Sequence, residues 1–251
     1  MKLLLPPSES KSDGGSGRFA LGRLSRPALN PARSAVLEAL VTLARDPGEA
    51  ARVLHLGPKQ VGEIDRNAHL RRAPVLPAVE RYTGVVYEAL DAGTLPDSAR
   101  AWLDGHLLIA SALLGLVAPH DPIPAYRLSG GSALPGLPLK RHWSEPLRRA
   151  LARERDWVLD ARSAAYAALG PAPAGSAVLL VEDATSGRAL NHCNKHAKGD
   201  LARRLALEGP EIRSRDDLLA WAPAAGLRLE PRGTADVALI VPATEPTAAH
   251  G

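Results

Sequence analysis

Short apolar runs alternate with amphipathic stretches along most of the chain, and this pattern predicts strands interleaved with helices. Apolar runs bounded by turn residues predict strands at 2–5, 107–110, 158–159, 177–182, 227–230 and 237–241. Apolar positions at helical spacing predict helices over 31–45, 59–70, 143–155, 162–169, 195–208 and 215–221. Residues 79–90 combine a strand-like Val85-Val86-Tyr87 with helix formers, so both structures stay open there. The last two predicted strands are close enough in sequence to form a hairpin.

The order of the predicted elements indicates the fold class. Strands and helices alternate without strict order, which favours an α/β fold: a single domain with a mixed β-sheet flanked by helices. We expect this domain to span residues 1–241 and the polar tail 242–251 to be disordered. A chain of 251 residues is long enough to bury a large core without disulfides or a structural metal.

Composition excludes several classes of protein. Hydrophobic residues make up 45% and charged residues 23% of the chain, which is typical of globular rather than disordered proteins. The longest apolar run, residues 107–118, is shorter than the roughly 20 residues of a membrane-spanning helix, so no membrane association is expected. The single Cys193 has no partner for an internal disulfide, and Pro6-Pro7 ends the first apolar run too early for a signal peptide. We therefore expect a cytoplasmic protein.

The formal net charge of +4 permits a polyanionic partner such as DNA but does not require one. Arginine greatly outnumbers lysine, and a GC-rich genome produces that bias without any functional cause. Aromatic residues make up 4% of the chain, which counts against a surface that stacks many nucleic-acid bases. Charge alone therefore leaves nucleic-acid binding and compositional bias as open alternatives.

The first candidate site is the polar loop 6–12, which directly follows the first predicted strand. Open α/β sheets bind ligands at the carboxyl ends of their strands. The hydroxyl of Ser8, the amine of Lys11 and free backbone amides suit a phosphate, although the glycine spacing of a Walker loop is missing. The alternative is a solvated loop without a ligand.

The second candidate is the segment 121–131, part of a long loop whose prolines restrict the backbone. Arg127 could hold a phosphate or carboxylate through two parallel hydrogen bonds. Asp121 could orient Arg127 or act as a general acid or base. The alternative is a structural Asp–Arg pair inside a rigid connection.

The third candidate is the segment 191–204, in which Asn194 is predicted to cap a helix that carries Lys195 and Lys198 in its first turns. Cations oppose the dipole at a helix N-terminus. An anion bound by the free amides there would explain why two lysines occupy this position.

Neither a metal nor another cofactor is expected. His192, Cys193 and His196 invite a zinc interpretation, but they supply too few ligands and lack the Glu of an H-E-x-x-H motif. The sequence also has no carboxylate–histidine cluster at the spacing of iron ligands, so any effect on iron is expected to be indirect.

Two further segments are weaker candidates. Residues 54–64 resemble the hairpin and second helix of a helix-hairpin-helix, a motif that presents backbone amides to a DNA phosphate, and Gly57 and Lys59 would make that contact. An ordinary Gly-Pro turn before a helix explains the same residues. Ser163 and Tyr166 are three positions apart, so one helical face can present both hydroxyls.

Five blocks, in order along the chain, resemble motifs of the YaaA family of peroxide-stress proteins. The blocks are 3–12, 82–90, 109–131, 160–166 and 194–203. Lys11 takes the position of the lysine in the family's first motif, and Asp121, Tyr126 and Arg127 match the third motif in place. The chain departs from that third motif at Ala112, where the family has Gly.

The resemblance implies a cytoplasmic α/β protein of the hydrogen peroxide response. Members of the family are linked to lower free iron, to limited oxidative DNA damage and to DNA binding through a helix-hairpin-helix-like element. We therefore expect one basic cleft that binds DNA or another phosphate-bearing ligand. The ligand-binding residues expected in this cleft are Ser8, Lys11, Tyr126, Arg127, Ser163, Tyr166, Asn194, Lys195, Lys198 and Arg203.

The alternative is an enzyme of the lyase or glycosylase type that acts on a nucleotide, a DNA base or another small anionic substrate. A lysine that is desolvated beside other cations has a lowered pKa and becomes a nucleophile. Lys11 or Lys195 would form a Schiff base with the substrate, and Asp121 would act as the acid or base.

Overall fold

The computed structural model describes residues 1–184 and 193–242, which contain nine β-strands. The strands are β1 (Lys2–Leu5), β2 (Val75–Pro77), β3 (Leu107–Ser111), β4 (Gly115–Val117), β5 (Pro122–Pro124), β6 (Val158–Asp160), β7 (Ala177–Asp183), β8 (Leu229–Arg232) and β9 (Asp236–Val241). Seven of them form one mixed sheet in the order β4, β3, β1, β6, β7, β9, β8, and β2 pairs with β5 in a separate sheet. This confirms the expected α/β fold with a mixed sheet.

Ten α-helices in the same two ranges flank the sheets. They are α1 (Asn30–Leu43), α2 (Pro47–Val53), α3 (Gly62–Ala68), α4 (Ala78–Arg81), α5 (Val85–Leu90), α6 (Asp97–His106), α7 (Leu139–Leu151), α8 (Ala164–Ala167), α9 (Cys193–Glu208) and α10 (Arg215–Trp221). No helix of the described chain combines the length and the apolar character needed to cross a bilayer.

The centre of the main sheet is parallel and buried. β1 pairs in parallel with β3 on one side and with β6 on the other. Leu3, Leu4 and Leu5 are completely buried, as expected for a strand that is covered on both faces. β6, β7 and β9 continue the parallel pairing, while β4 and β8 add antiparallel strands at the two edges. The leucine run near the start of the sequence therefore forms the middle of the sheet.

The order of the strands creates a crevice at the carboxyl ends of β1 and β6. From β1 the chain moves towards β3 on one side of the sheet, and from β6 it moves to β7 on the other side. Adjacent parallel strands whose connections leave in opposite directions have a crevice between them, where α/β proteins bind ligands. The loops that follow β1 and β6 therefore occupy the position at which this fold class builds its sites.

A buried arginine anchors the loop that follows β1. Arg81, at the end of α4, is completely buried, and its guanidinium donates to the carbonyl oxygens of Ser12, Gly14, Pro74 and Ile123. Four carbonyl acceptors offset the cost of removing this charge from water. Arg81 therefore links the loop after β1 to the two-stranded sheet that β2 and β5 form.

Residues 79–90, where the pattern leaves both structures open, lie mostly in two helices. α4 and α5 are separated by a turn that includes Gly84, whose φ of +87° suits glycine. The hairpin expected near the end of the chain is confirmed by the antiparallel pairing of β8 and β9. The helices expected over 143–155 and 195–208 correspond to α7 and α9 with shifted ends. Residues 243–251, most of the expected tail, lie outside the described residues.

Close packing of α5 against α9 depends on a glycine. A Cβ atom on Gly199 would lie 2.1 Å from the carbonyl oxygen of Val86 and 2.7 Å from the Cβ of Ala89. Both distances are too short for real contacts, so only glycine allows the two helices to approach this closely. Since α5 begins beside the hydroxyls of Ser8 and Ser10, this contact brings α9 towards the loop after β1.

Candidate functional site

Lys11 lies in the loop after β1 and is the centre of the candidate site. Its Nζ donates to the carbonyl oxygens of Ser8 and Glu9 at 3.0 and 3.2 Å. The same atom lies 4.1 Å from the ring centre of Tyr126 and 5.4 Å from that of Tyr82, which are cation–π distances. Backbone oxygens and aromatic faces therefore hold this amine in place.

The acids around Lys11 are paired with arginines. Arg127 forms an ion pair with Glu9, with Nη2 3.0 Å from Oε2, and Arg66 donates to Oε1 of Glu63 at 2.9 Å. Both carboxylates influence the pKa of Lys11, but in the described part of the chain neither forms an ion pair with it. Lys11 is therefore a half-buried base beside two arginines, and its acidic neighbours are already neutralised.

The pKa of Lys11 is lowered from its ordinary value of 10.5 to about 7, and burial is the largest cause. Arg127 and Arg66 also lower this pKa, while Glu63 and Glu9 act in the opposite direction. An amine with such a pKa is neutral in a large fraction of molecules at neutral pH, and a neutral amine is both a nucleophile and a base. Strongly shifted lysines of this kind are typical of functional sites.

The four tyrosines of the chain form one cluster around the lysine. The hydroxyls of Tyr82 and Tyr126 are 2.8 Å apart, and the hydroxyl of Tyr126 lies 2.7 Å from Oγ of Ser111. The ring of Tyr87 is 5.3 Å from that of Tyr82, and Tyr126 influences the pKa of Tyr166. Burial raises the pKa of all four phenols, so they remain neutral hydroxyls at physiological pH.

Arg127 is positioned through its backbone. The buried side chain of Asn67, on α3, accepts from the N–H of Arg127 at 2.9 Å and donates to its carbonyl oxygen at 2.8 Å. Further along the same loop, the N–H of Gly130 donates to the hydroxyl of Tyr166 at 3.2 Å. Both Glu9 and Arg127 influence the pKa of Tyr166. These contacts fix the backbone of Arg127, and the ion pair with Glu9 holds its guanidinium.

A second buried cluster lies on the β6 side of the crevice. Arg162 donates to the carboxylate of Asp160 at 2.8 Å from Nε and at 2.7 Å from Nη2. Arg162 is 5% exposed, and its Nη1 is buried with no hydrogen-bond partner among the residues that the structure describes. Lys198 on α9 is buried as well, and its pKa is lowered by burial and raised by Asp160. The carboxylate of Asp160 therefore interacts electrostatically with two buried cations, Arg162 and Lys198.

α9 carries two further residues predicted to bind the ligand. Asn194 is half-buried, and its Oδ1 is buried with no hydrogen-bond partner in the ranges 1–184 and 193–242, whereas Lys195 is exposed. Of the residues in the zinc interpretation, His192 lies outside the described residues and His196 is exposed. Within the described ranges, no group of three or more His, Cys, Asp or Glu side chains is arranged to hold a metal ion.

Two other predicted residues are engaged away from the lysine. Arg203 donates at 2.9 Å to two carbonyl oxygens at the C-terminal end of α5. Asp121 accepts from the N–H and hydroxyl of Ser25 at 2.7 and 2.6 Å, and from the N–H of Ala118 at 3.0 Å. Such contacts are typical of structural roles. Ligand binding by Arg203 and acid–base catalysis by Asp121 therefore stay predictions.

The structure brings half of the predicted ligand-binding residues together around one amine. The residues of this lysine-centred site are Ser8, Lys11, Tyr126, Arg127 and Tyr166. Lys198 belongs to the second cluster, and the exposed Ser163 directly follows the buried Arg162 of that cluster. Most of the predicted residues thus fall into two groups, one around Lys11 and one around Asp160, while Lys195 and Arg203 lie outside both.

The expected helix-hairpin-helix-like element is not confirmed. Gly57 precedes a 3-10 turn at Pro58–Gln60, and its N–H donates to the side chain of Gln60 at 3.1 Å. The helices on either side, α2 and α3, have seven residues each. Lys59 is exposed on the turn. A DNA contact by Gly57 and Lys59 stays a prediction.

Two grooves lie outside these clusters, and the second of them borders α9 next to Lys198. One, of about 470 Å³, lies between α1 and α7 and is lined by Leu29 and Pro146 among others. The other, of about 530 Å³, lies between α9 and β9 and is lined by His196 and Leu239 among others. Neither groove is lined by Lys11, Arg127, Asp160 or Arg162.

Sequence analysis does not identify several residues that build the site. Glu9 and Asn67 acquire their roles only through Arg127, which is far from both in sequence. Asp160 and Arg162 carry a local signal that could identify them, because an acid and a base two positions apart directly follow a buried strand. Such a pair can fold back on itself and fix a guanidinium at the edge of a sheet.

The fold and the site together define an α/β protein with a lysine-centred polar site at the carboxyl edge of a mixed sheet. A sequence model of one family, described as "Peroxide stress protein YaaA", matches residues 1–232. The chain therefore belongs to the YaaA peroxide stress protein family, as the sequence motifs predict.

Curated relatives cover nearly the whole chain. A UPF0246 protein of Corynebacterium glutamicum is 42% identical over 238 residues, which cover 92% of this chain and 95% of the relative. A UPF0246 protein of Streptomyces coelicolor is 43% identical over 218 residues, which cover 83% of this chain and 84% of the relative.

Proposed function

We propose that this peroxide-stress family member is a lysine-dependent enzyme of the lyase or glycosylase type that acts on a nucleotide, a damaged DNA nucleotide or a related anionic substrate. The observation that supports this proposal is the state of Lys11, a half-buried amine with a pKa of about 7. A protein that only neutralises phosphate needs a charged lysine, and burial works against that charge. A nucleophilic amine needs the neutral form.

The chemistry begins with attack of the neutral Nζ of Lys11 on an aldehyde carbon, such as C1 of a ring-opened abasic deoxyribose. The new C–N bond forms as the C=O π bond breaks, and one proton moves from nitrogen to oxygen to give a carbinolamine. Protonation of its hydroxyl and loss of water then leave a Schiff base. Glu9 is the candidate for transferring these protons, because it influences the pKa of Lys11 and 68% of its side chain stays exposed beside its ion pair with Arg127. Asp121, in contrast, is buried and accepts three hydrogen bonds from Ser25 and Ala118.

Arg127 supplies the contact to the anionic part of the substrate. It uses one Nη group for Glu9, and 17% of its side chain is exposed. A planar guanidinium with remaining N–H groups suits a phosphate oxygen pair. The neutral hydroxyl of Tyr166, beside Arg127, is a further donor or acceptor for the substrate.

Borohydride trapping tests the proposed reaction. The full chain is incubated with a duplex oligonucleotide that contains one abasic site, reduced with sodium borohydride, digested and mapped by mass spectrometry. We expect a covalent adduct on Lys11, with a yield that rises between about pH 6 and pH 8 as the amine loses its proton.

The matched controls are Lys11→Arg, which keeps a cation without a nucleophile, and Lys140→Arg at an exposed position on α7. The adduct should disappear in the first variant and persist in the second. Adducts spread over surface lysines, or none on Lys11 with abasic DNA, would contradict the proposal.

A second candidate function is DNA binding without chemistry. It is favoured by the exposed Lys59 on the turn before α3 and by the exposed Lys195 in the first turn of α9, since both cations are free to reach a phosphate backbone. Tight binding of undamaged duplex DNA without any Lys11 adduct would favour this candidate over the enzyme.

A further inference from the structure

The cluster after β6 contains a guanidinium that is fixed in one plane. The carboxylate of Asp160 accepts from the backbone N–H of Arg162 at 3.0 Å as well as from Nε and Nη2. The side chain of Arg162 has no exposed surface. Two parallel hydrogen bonds to one carboxylate orient a guanidinium more strictly than a single ion pair does.

This arrangement leaves a buried donor unused. Within the described part of the chain, Nη1 of Arg162 has no hydrogen-bond partner, whereas Nε and Nη2 of the same guanidinium both donate to Asp160. An unpaired buried donor destabilises the folded state, and the cost is larger when the group is charged. Native proteins contain few such groups, and each requires an explanation such as an ion, a water or a ligand.

Side chains of α9 add polar groups to the same cluster. Lys198 is 7% exposed and interacts electrostatically with Asp160. Asn194 is four positions earlier, so it shares a helical face with Lys198, and its Oδ1 is also buried without a partner. Asp183, at the end of the neighbouring β7, is buried and has an interaction of its own. Arg162 and Lys198 thus interact with one carboxylate at the edge of the sheet, and Asn194 lies one helical turn from Lys198.

We propose that Arg162 and Lys198 form an oxyanion subsite that binds the phosphate group of the substrate whose reacting carbon meets Lys11. An oxyanion supplies acceptors for Nη1 of Arg162 and for the ammonium of Lys198. The amide of Asn194 can rotate to present its NH₂ group to the same oxygen atoms. This inference rests on the proposed function and assigns the two tasks to different residues. The reaction occurs at Lys11 in the loop after β1, and the phosphate is bound by Arg162, which follows β6, and by Lys198 on α9.

Inorganic phosphate is the probe for the subsite, measured by isothermal titration calorimetry at constant ionic strength. We expect one phosphate per chain, and Lys198→Met should weaken its binding by about tenfold or more. Arg162→Lys, which keeps a cation beside Asp160 but removes Nη1, should have the same effect. Lys140→Met, on the exposed side of α7, is the matched control and should bind phosphate like the wild type.

Thermal unfolding of each variant shows whether it is folded before titration, and the two different substitutions keep the test valid if one of them fails to fold. Phosphate affinity that is unchanged in both folded variants would overturn the subsite. Phosphate bound only adventitiously, with several weak sites of equal affinity in every variant, would overturn it as well.

The subsite and the proposed function can fail separately. Borohydride trapping with an uncharged aldehyde reports on Lys11 alone, and Lys198→Met should leave that adduct intact. If Lys11 is trapped but phosphate affinity does not depend on Arg162 and Lys198, only the proposed subsite is wrong. If phosphate binding depends on both residues but Lys11 is never trapped, only the proposed chemistry is wrong.

Discussion

At the scale of single residues, burial affects the protonation of the arginines and of Lys11 differently. Arg33 and Arg81 are completely buried, and both donate to backbone carbonyl oxygens that replace the lost water. Lys11 has two carbonyl acceptors and two aromatic rings, and its pKa falls to about 7. A guanidinium keeps its proton when buried, whereas an ammonium releases it. Lys11 therefore destabilises the fold as long as it is protonated.

The first prediction concerns the pH dependence of stability. The folded chain releases the Lys11 proton near pH 7 and the unfolded chain near pH 10.5, so the unfolded state binds more protons between these values. Stability of the wild type should rise with pH across this window relative to Lys11→Met. Below pH 7 the variant should be more stable by roughly 3 to 5 kcal/mol, and above pH 10.5 this advantage should vanish.

Urea unfolding of both proteins at several pH values measures this difference, because other titrating groups cancel between them. Lys140→Met, at an exposed position, serves as the control and should follow the wild type at every pH. Parallel stability curves for the wild type and Lys11→Met would show that Lys11 keeps its ordinary pKa.

At the scale of elements, the site depends on how α5 and α9 pack. α5 begins at Gly84, next to the hydroxyl of Ser8, and α9 carries Lys198 one position before Gly199. The absence of a side chain at Gly199 lets the backbone of α9 touch the Val86 carbonyl. One close helix contact therefore connects the lysine-centred site with the second cluster.

The second prediction concerns Gly199→Ala. The new Cβ would meet backbone at 2.1 Å, and backbone cannot move aside as a flexible side chain can. We expect a loss of roughly 2 to 4 kcal/mol in the free energy of unfolding, since overpacking of this kind forces the helices apart. Gly105→Ala is the matched control, because Gly105 is also helical and has nothing within 4 Å of its added Cβ.

The control should be neutral or stabilising by up to about 1 kcal/mol, since alanine favours helices over glycine. Thermal unfolding monitored by circular dichroism compares the two variants. Equal stability of Gly199→Ala and Gly105→Ala would mean that α5 and α9 are farther apart than described.

At the scale of the whole molecule, apolar and charged residues occupy different parts of the sheet. The central strands are apolar and covered, while the charged clusters lie at the carboxyl ends of β1 and β6. Parallel strands align these ends at one edge, so loops that are about 150 residues apart in sequence meet at one crevice. The net charge of +4 adds a weak attraction for polyanions over the surface.

The third prediction concerns salt. If duplex DNA binds, the logarithm of its affinity should fall linearly with the logarithm of salt concentration, by about 0.9 for each phosphate neutralised. Lys59→Gln should reduce this slope by about one unit if the turn before α3 contacts a phosphate. Lys140→Gln is the control, and fluorescence anisotropy at several salt concentrations is the measurement. Affinity that does not change with salt would contradict a phosphate-based contact.

Much of the fold could be predicted from local pattern. The leucine run at 2–5 and the apolar run at 107–110 are too short and too continuous for surface helices, and both are strands of the sheet centre. Residues 79–90 could not be settled, because the propensities of a Val-Val-Tyr triplet favour a strand. The packing of α5 on α9 decides for a helix there, and such long-range contacts override propensity.

The site was predictable only in part, for a related reason. The position of Lys11 after a buried strand indicated a ligand site. The hydrogen-bond partner of each site residue, however, depends on which distant segment folds beside that residue. Asp121 could pair with Arg127 by sequence distance alone, yet it accepts hydrogen bonds from Ser25, while Arg127 pairs with Glu9.

The amino-acid sequence by itself determined the family, the α/β alternation and the placement of Lys11 and Arg162 directly after central strands, because these depend on local pattern and motif order. Only the tertiary structure decided which charges are paired and which remain buried without a partner. Desolvation and ion pairing depend on three-dimensional neighbours, and those are set by the order of the strands and the close contact of α5 with α9.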